Sequence, residues 1–479
     1  MLQSAREPYI PQDRRGLRLL LAIKREPLHY FTRLMNKEGS YAWLRVDGRP
    51  LVMLNDATGI EHVLQRNNTY RKGHFHKVLK PLFGDSMFLS EGHAWRHRRE
   101  EVAPVFAHGN FEEMVRQMAA AATAMFDRWD PRIARGEPID VTLEMTRFAL
   151  DALMRALFHE QQDDVASEMR SALGVILRDA EKRMWSSLTV PEAIAYNLPK
   201  YRASRRFLKK IVAALIEARR ANKAYPEDLL SRLVEDFGSS GPEQKVLFDE
   251  VLSFVLAGHD TTAHGLAWAL YNLSLYPSVQ RKVDVEVAGI LGHRVPDMED
   301  IKKLTFTRQV FDEVLRLYPP VWTMSREAVA PDQIPLDDGT FLDVPAGAAV
   351  MMCHYAVHRR ETYWPNPEAF DPERFAPEAV AVRPKCAWFP FGGGARMCLG
   401  FRFAQVESVL ALAMITQRYK FSLLSGQHVE PEPIITLRPA SAILFRVQKR
   451  EDFCPDIEAR SDEKRTTSAA PQSSKCPFH

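Results

Sequence analysis

The stretch from Phe248 to Tyr276 is the longest strongly apolar helix candidate in the chain, and it lacks a clean polar face. A helix that is apolar all round is buried, so the rest of the chain must pack around this one. From residue 95 to about 325, apolar residues recur at spacings of three and four, as in "FEEMVRQMAAAATAMFDRW" and "RRFLKKIVAALIEARRA", which predicts further helices. Strand signals sit at the margins. "YAWLRV", Asp47-Gly48 and "RPLVML" read as a hairpin over 41–54, Asp56 as the N-cap of a helix reaching about Gln65, and Pro/Gly-broken strands return at 327–352 and near 434–447. The expected fold class is mainly α with small β-sheets. No linker or repeat interrupts residues 30–450 of the 479, and 46% of residues are hydrophobic. One large domain over 30–450 is therefore expected, with 1–29 as an N-terminal extension and 451–479 as a disordered, polar tail ("ARSDEKRTTSAAPQSSK").

The buried stretch carries "AGHDTT", Ala257–Thr262, in its middle. Gly costs about 1 kcal/mol relative to Ala in a helix, Thr is stiff at χ1, and a buried Asp needs partners. Either this is a tolerated kink or it is a distorted turn lining a site. In the second reading Thr261 bonds back to the carbonyl of Ala257 and opens the helix, and Gly258 leaves room beside it.

The balance of charge removes several classes. A net charge of +3, with Lys and Arg interspersed among Asp and Glu, argues against nucleic acid as the main partner. Only "WRHRR", Trp95–Arg99, is locally very basic. The cysteines number five (Cys353, Cys386, Cys398, Cys454 and Cys476), without zinc-type spacing or a secretory signal, so a reducing cytoplasm is expected and a disulfide framework is not. The longest apolar run near the N-terminus, Leu19–Ile23, has five residues, whereas a spanning helix needs about twenty. No transmembrane anchor is expected.

Cys398 stands in "FGGGARMCLG", Phe391–Gly400. Glycine adopts positive φ freely, so three in a row read as a forced loop whose N–H groups can turn inward. "FRFAQVESVLALAMITQRY" follows as a long helix. A cysteine at a helix start sits at the positive end of the dipole, which favours thiolate. A nucleophile would need a His base, which no local pattern supplies, and zinc would need three more ligands. An isolated thiolate in a donor-lined turn suits a single axial bond to haem iron.

Phe391, Gly394, Arg396, Cys398 and Gly400 match, without a departure, the haem-binding signature of the cytochrome P450 superfamily, which the chain resembles over about residues 30–450. "EVLR" with Glu313 and Arg316, "PERF" with Arg374, "AGHDTT", and "WRHRR" with Trp95 and Arg99 follow the family's order. The resemblance implies haem b with Cys398 as axial ligand to iron, and propionate contacts from Trp95, Arg99, Arg326 and Arg396. For His354 and His358, two further candidates for such a contact, a satisfied structural role is expected. Phe391 is expected near the sulfur-bearing face, and the glycines are expected to let the loop pass close under the porphyrin. Glu313, Arg316 and Arg374 are implied as a buried charged network supporting the loop, and Asp260 and Thr261 as a proton relay.

The implied reaction is reductive activation of O2 and insertion of one oxygen atom into an organic substrate. The sequence has no GxGxxG or GxxxxGK[ST] motif, so two electrons must come from outside, from a ferredoxin or flavodoxin-type donor with an NAD(P)H reductase. Arg98 and Arg402 are candidate docking contacts, and a monomer is expected. Apolar pocket candidates are Phe75, Leu79, Met87, Phe88, Phe254, Ala257, Val321, Trp322, Thr323, Met324 and Ile435. They point to a lipophilic substrate such as a fatty acid or terpenoid. A haem-thiolate peroxygenase or isomerase needing no reductase, and a non-catalytic haem sensor, stand as alternatives.

Overall fold

Local chemistry sets the margins of the molecule. Asp56 caps a helix as expected: its Oδ1 accepts the Gly59 N–H at 3.0 Å, and α3 runs Ala57–Gln65. The hairpin forms from β1 (Tyr41–Val46) and β2 (Arg49–Leu54), with Trp43 opposite Val52. These strands belong to a five-stranded sheet with β3 (Tyr70–Arg71), β4 (Met324–Ala328) and β5 (Ala349–Met352), in the order β1-β2-β5-β4-β3. β5 pairs parallel to β2 and antiparallel to β4. The computed structural model describes residues 16–46, 48–107, 110–160, 166–184, 198–222, 228–237 and 241–450. Asp47 and the predicted tail lie outside the described residues.

α1 (Gly16–Arg25) and α2 (Pro27–Glu38) precede the sheet. Leu19, Leu20 and Ile23 are buried in one cluster with Phe31, Leu44 and Trp322. Leu19, Leu20, Ile23 and Leu28 of the expected extension thus pack into the fold, and residues 29 and 30 both lie in α2. α4 (Gly92–Val102) holds "WRHRR". The helical body consists of α5 (Phe111–Ala134), α6 (Val141–Phe158), α7 (Ala166–Met184) and α8 (Pro199–Ala221), with α9 (Gly241–Leu275), α10 (Thr305–Leu317) and α11 (Phe401–Arg418) at its centre. β6 (Pro431–Pro433) and β7 (Leu437–Pro439) pair antiparallel after α11.

α9 is the predicted core helix. It packs against α6, α8, α10 and α11, and Leu266, Ala267, Trp268 and Ala269 are all fully buried on successive faces. Pro277 ends it, since the residue before a proline is disfavoured in helical conformation. The helix is continuous through Ala257–Thr262. Among the described residues no helix is long and apolar enough to cross a membrane.

Candidate active site

The Cys398 loop is built on close contact with α3. Gly394 has φ 63°, and a Cβ there would stand 2.1 Å from the Leu64 carbonyl oxygen, so only glycine fits. Gly392 likewise has φ 71°. The loop closes where the Cys398 N–H donates to the Phe391 carbonyl at 2.9 Å, and α11 starts three residues later at Phe401. Phe391 meets Phe401 edge-on at 6.2 Å. Gly400 needs no special φ and its Cα faces open space; its N–H points at the sulfur.

Cys398 carries accessible surface, yet burial pushes its thiol up, against the Gly400 N–H and Arg99, which pull it down. Desolvation therefore outweighs the expected effect of the helix start. Accessible surface and strong desolvation coexist on one residue when that surface faces an internal cleft rather than bulk water. Lys72 and His76 show the same combination: both are partly accessible, and burial drives both far down from their ordinary values.

Those two residues belong to a cluster that joins several predicted positions. Arg326 and Arg396 add to the depression of Lys72, and all three add to that of His76, with Glu91 the carboxylate opposing them at Lys72 and Arg326; Arg326 is pushed down to about 10, first by burial and then by Arg396. Arg396 stacks 3.8 Å over the Trp95 ring, donates to the Ser90 carbonyl at 2.9 Å and pairs with Glu91 at 2.5 Å. Arg99 donates to the Met397 carbonyl at 2.9 Å, one residue from Cys398. His76 Nδ1 is buried without a hydrogen-bond partner. A cluster with this much positive charge and one carboxylate among it is matched to a ligand bearing carboxylates. The donor set thus fits haem, a flat apolar group with two propionates.

Behind the loop, Glu313 and Arg316 are both fully buried. Arg316 donates Nε to Glu313 Oε2 at 2.6 Å and Nη2 to Oε1 at 2.8 Å, then spends its remaining donors on the carbonyls of His358, Pro367 and Ala369 at 2.6–3.0 Å. Glu313 also accepts the Asp371 N–H at 2.9 Å, and Arg374 Nε stands 3.6 Å away. Burial raises the Glu313 carboxyl, and the Arg316 fork pulls against it.

On α9, Thr261 Oγ1 donates to the Ala257 carbonyl at 2.9 Å. Ala257 is exposed although the turns around it are buried, so it marks cleft surface. Gly258 does not leave room there: a Cβ would sit 2.1 Å from Leu153 Cδ1 of α6, which fills that space. Asp260 Oδ2 accepts from Thr436 Oγ1 at 3.1 Å and stands 3.7 Å from His264 Nδ1.

The pocket candidates divide. Met87, Phe88, Phe254, Thr323, Met324 and Ile435 are partly buried, and Val321 is exposed. Leu79 is buried in the main core. Trp322 is 1% exposed, stacks on Phe31 and donates Nε1 to the Ile434 carbonyl at 2.7 Å, so it is a packing residue of the N-terminal cluster. Phe75 packs against that same cluster. His358 Nε2 accepts the Phe389 N–H at 3.2 Å, a structural role, while His354 stacks on Phe389 at 4.2 Å. Arg98 turns inward to the Asp85 carbonyl and to Glu250 at 3.5 Å, away from a docking role. Arg402 lies over its neighbour Phe401 at 5.6 Å.

Sequence reasoning missed Lys72, His76 and Glu91, which carry no local signal because only the loops bring them to Arg396. It also passed over His264, one turn past Asp260, whose spacing was visible.

The cytochrome P450 family profile matches residues 15–445. Similar proteins include cyclooctatin synthase of Streptomyces melanosporofaciens, 29% identical over 87% of this chain and 90% of that one. Cytochrome P450 4A14 of Rattus norvegicus is 31% identical over 83% of this chain and 81% of its own length. Cytochrome P450 4F8 of Homo sapiens is 29% identical over 78% and 76%. The chain belongs to the cytochrome P450 family. It is accordingly a haem-thiolate oxidoreductase of the monooxygenase class, its haem iron held by a cysteine.

Proposed function

We propose that this chain inserts one oxygen atom from O2 into a lipophilic small molecule, a fatty acid or terpenoid, using two electrons from a ferredoxin or flavodoxin-type carrier fed by an NAD(P)H reductase. The observation that carries the reading is Cys398: an accessible yet desolvated thiol, faced by the Gly400 N–H and by Arg99, in a loop that Gly394 alone allows. Trp95, Arg99, Arg326 and Arg396, with Lys72 and His76, would hold the carboxylates of the haem. Bound there, haem supplies thiolate-supported cleavage of O2.

This chain's own residues do the rest. The Gly400 N–H and Arg99 stabilise negative charge on the sulfur. Glu313, Arg316 and Arg374 fix the segment 358–371 behind the loop. Thr261 presents a hydroxyl that both donates and accepts, and Asp260 can carry a proton to it. Met87, Phe88, Phe254, Ala257, Met324 and Ile435 give the cleft an apolar lining that orients a lipophile and excludes water. A cytoplasmic, monomeric enzyme is consistent with this reading.

The test is turnover. The holoenzyme, given NADPH and a surrogate ferredoxin with its reductase, should convert lipophiles that shift the haem spin state, with one atom of ¹⁸O2 retained in the product. Product formed equally well from peroxide with no reductase would move the assignment to a peroxygenase. Binding without any product would move it to a sensor.

A further inference from the structure

The imidazole of His264 has no place in the account so far. It is 5% exposed and its Nδ1 has no hydrogen-bond partner. A buried ring nitrogen left unsatisfied costs about 1–3 kcal/mol, and structural histidines normally avoid it. His259, fully buried on the same helix, bonds the Val255 carbonyl through Nδ1 at 2.5 Å and leaves its Nε2 without a partner. His264 Nδ1 is instead 3.7 Å from Asp260 Oδ2, a small side-chain rotation short of a hydrogen bond. The other Asp260 bond comes from Thr436, between β6 and β7. The charged groups facing His264 are Asp260 and His259 from its own helix, Arg170 from α7 and Arg438 from β7. Arg438 is paired with Glu432 of β6 at 2.7 Å, and Glu432 is 37% exposed. Asp260 is thus held from the turn between β6 and β7, and His264 is the group faced by α7 and β7.

We propose that His264 is the residue that reprotonates Asp260. The inference rests on the reading of Asp260 and Thr261 as a proton relay. A proton taken up at Nε2 is matched by one released from Nδ1 to Asp260 Oδ2. The ring keeps no charge and ends in its other tautomer, and Asp260 returns to carboxylate as it passes the proton towards Thr261. Burial lowers the His264 pKa, which keeps the ring neutral at ordinary pH, as such an exchange requires.

The test compares holoenzyme variants His264→Phe and His264→Gln with Asp260→Asn. Both His264 variants should slow substrate-bound oxygen consumption about tenfold and raise its solvent isotope effect, while the reduced carbon monoxide spectrum stays unchanged. Gln can hold Asp260 by a hydrogen bond but cannot exchange tautomers. Wild-type oxygen consumption and isotope effect in His264→Gln would therefore overturn the proposal and leave His264 a positioning residue. A second readout does not depend on turnover: ¹⁵N NMR of the reduced, carbon monoxide-bound holoenzyme. The His264 ring signals should show a tautomer preference that shifts in Asp260→Asn, and signals unmoved by that substitution would overturn the coupling. Slow Asp260→Asn beside a normal His264→Phe sinks this proposal alone, whereas a normal Asp260→Asn sinks the relay reading with it.

Discussion

Glu313 and Asp260 are both carboxylates held inside the protein, and they are held in opposite ways. Glu313 is fully buried, gripped by a bidentate guanidinium and a backbone N–H, and the remaining donors of its partner Arg316 are spent on backbone carbonyls. Asp260 keeps some solvent contact, has one hydrogen bond from a threonine, and sits near a histidine just out of range. A group held by every available bond is a brace, because any change of charge strands its partners. A group held by one bond, with an imidazole just out of range, can change partners without stranding a buried charge. The difference separates the part of the molecule that holds its shape from the part proposed to do chemistry.

The largest effect expected from this comparison is at the brace. Glu313→Ala and Arg316→Ala should each cost about 3–5 kcal/mol, the range for stranding one member of a buried pair, and should yield little haem-loaded protein. Glu313→Gln should fail almost as badly, since Arg316 would still lack its counter-charge. Full haem content and unchanged melting in these variants would erase the distinction.

Asp260→Asn comes next. It should load haem and melt normally but slow oxygen consumption roughly 10²-fold, the low end for a lost general acid. Thr261→Ala should keep consuming NADPH and oxygen while releasing peroxide in place of product. Full coupling in Thr261→Ala would leave that hydroxyl only its bond to the Ala257 carbonyl.

Glu250 sharpens the comparison as an intermediate case. It is 1% exposed, and burial pushes it up to about 7, against the Met87 N–H and Arg98, which pull it down. Its folded pKa lies above the unfolded 4.5, so the native state binds the extra proton between these values. Stability should therefore fall as pH rises from about 4.5 to 7, by about 1–3 kcal/mol from this group. Glu250→Gln should flatten that part of the profile measured by denaturant melts, and an unchanged slope would contradict it. Deleting residues 455–479 should have the smallest effect, since that composition has little apolar surface to bury. Loss of the haem spectrum on that truncation would show the tail to be part of the site.

Much of the frame was legible because its signals are local. The Asp56 cap, the 41–54 hairpin and the helix after Gly400 form where their residues indicate. The rule that apolar helices are buried located α9 without any tertiary knowledge. What was not legible depends on partners distant in sequence. Gly258 looked like room for a ligand until Leu153 filled the place. Trp322 looked like a pocket wall until Phe31, far off in the chain, stacked on it. The short run Leu19–Ile23 was read only as part of an N-terminal extension, yet Leu19, Leu20 and Ile23 join a buried cluster with residues of the sheet. In the site, Cys398, Arg396 and Trp95 were readable by motif, and Arg396 does stack on Trp95. Two further members of the cluster, Lys72 and His76, come from a segment with no motif.

The central claim is that Cys398 is the thiolate that binds haem iron. The reduced, carbon monoxide-bound difference spectrum tests it most directly, measured on the wild type beside Cys398→His, Cys353→Ser and Cys386→Ser. Cys353 and Cys386 are buried thiols whose pKa values burial pushes up to about 12 and about 11, so neither is suited to supply thiolate. The wild type and both control variants should show the long-wavelength thiolate band, and Cys398→His should lose it. A thiolate band that survives in Cys398→His would contradict the account at its base.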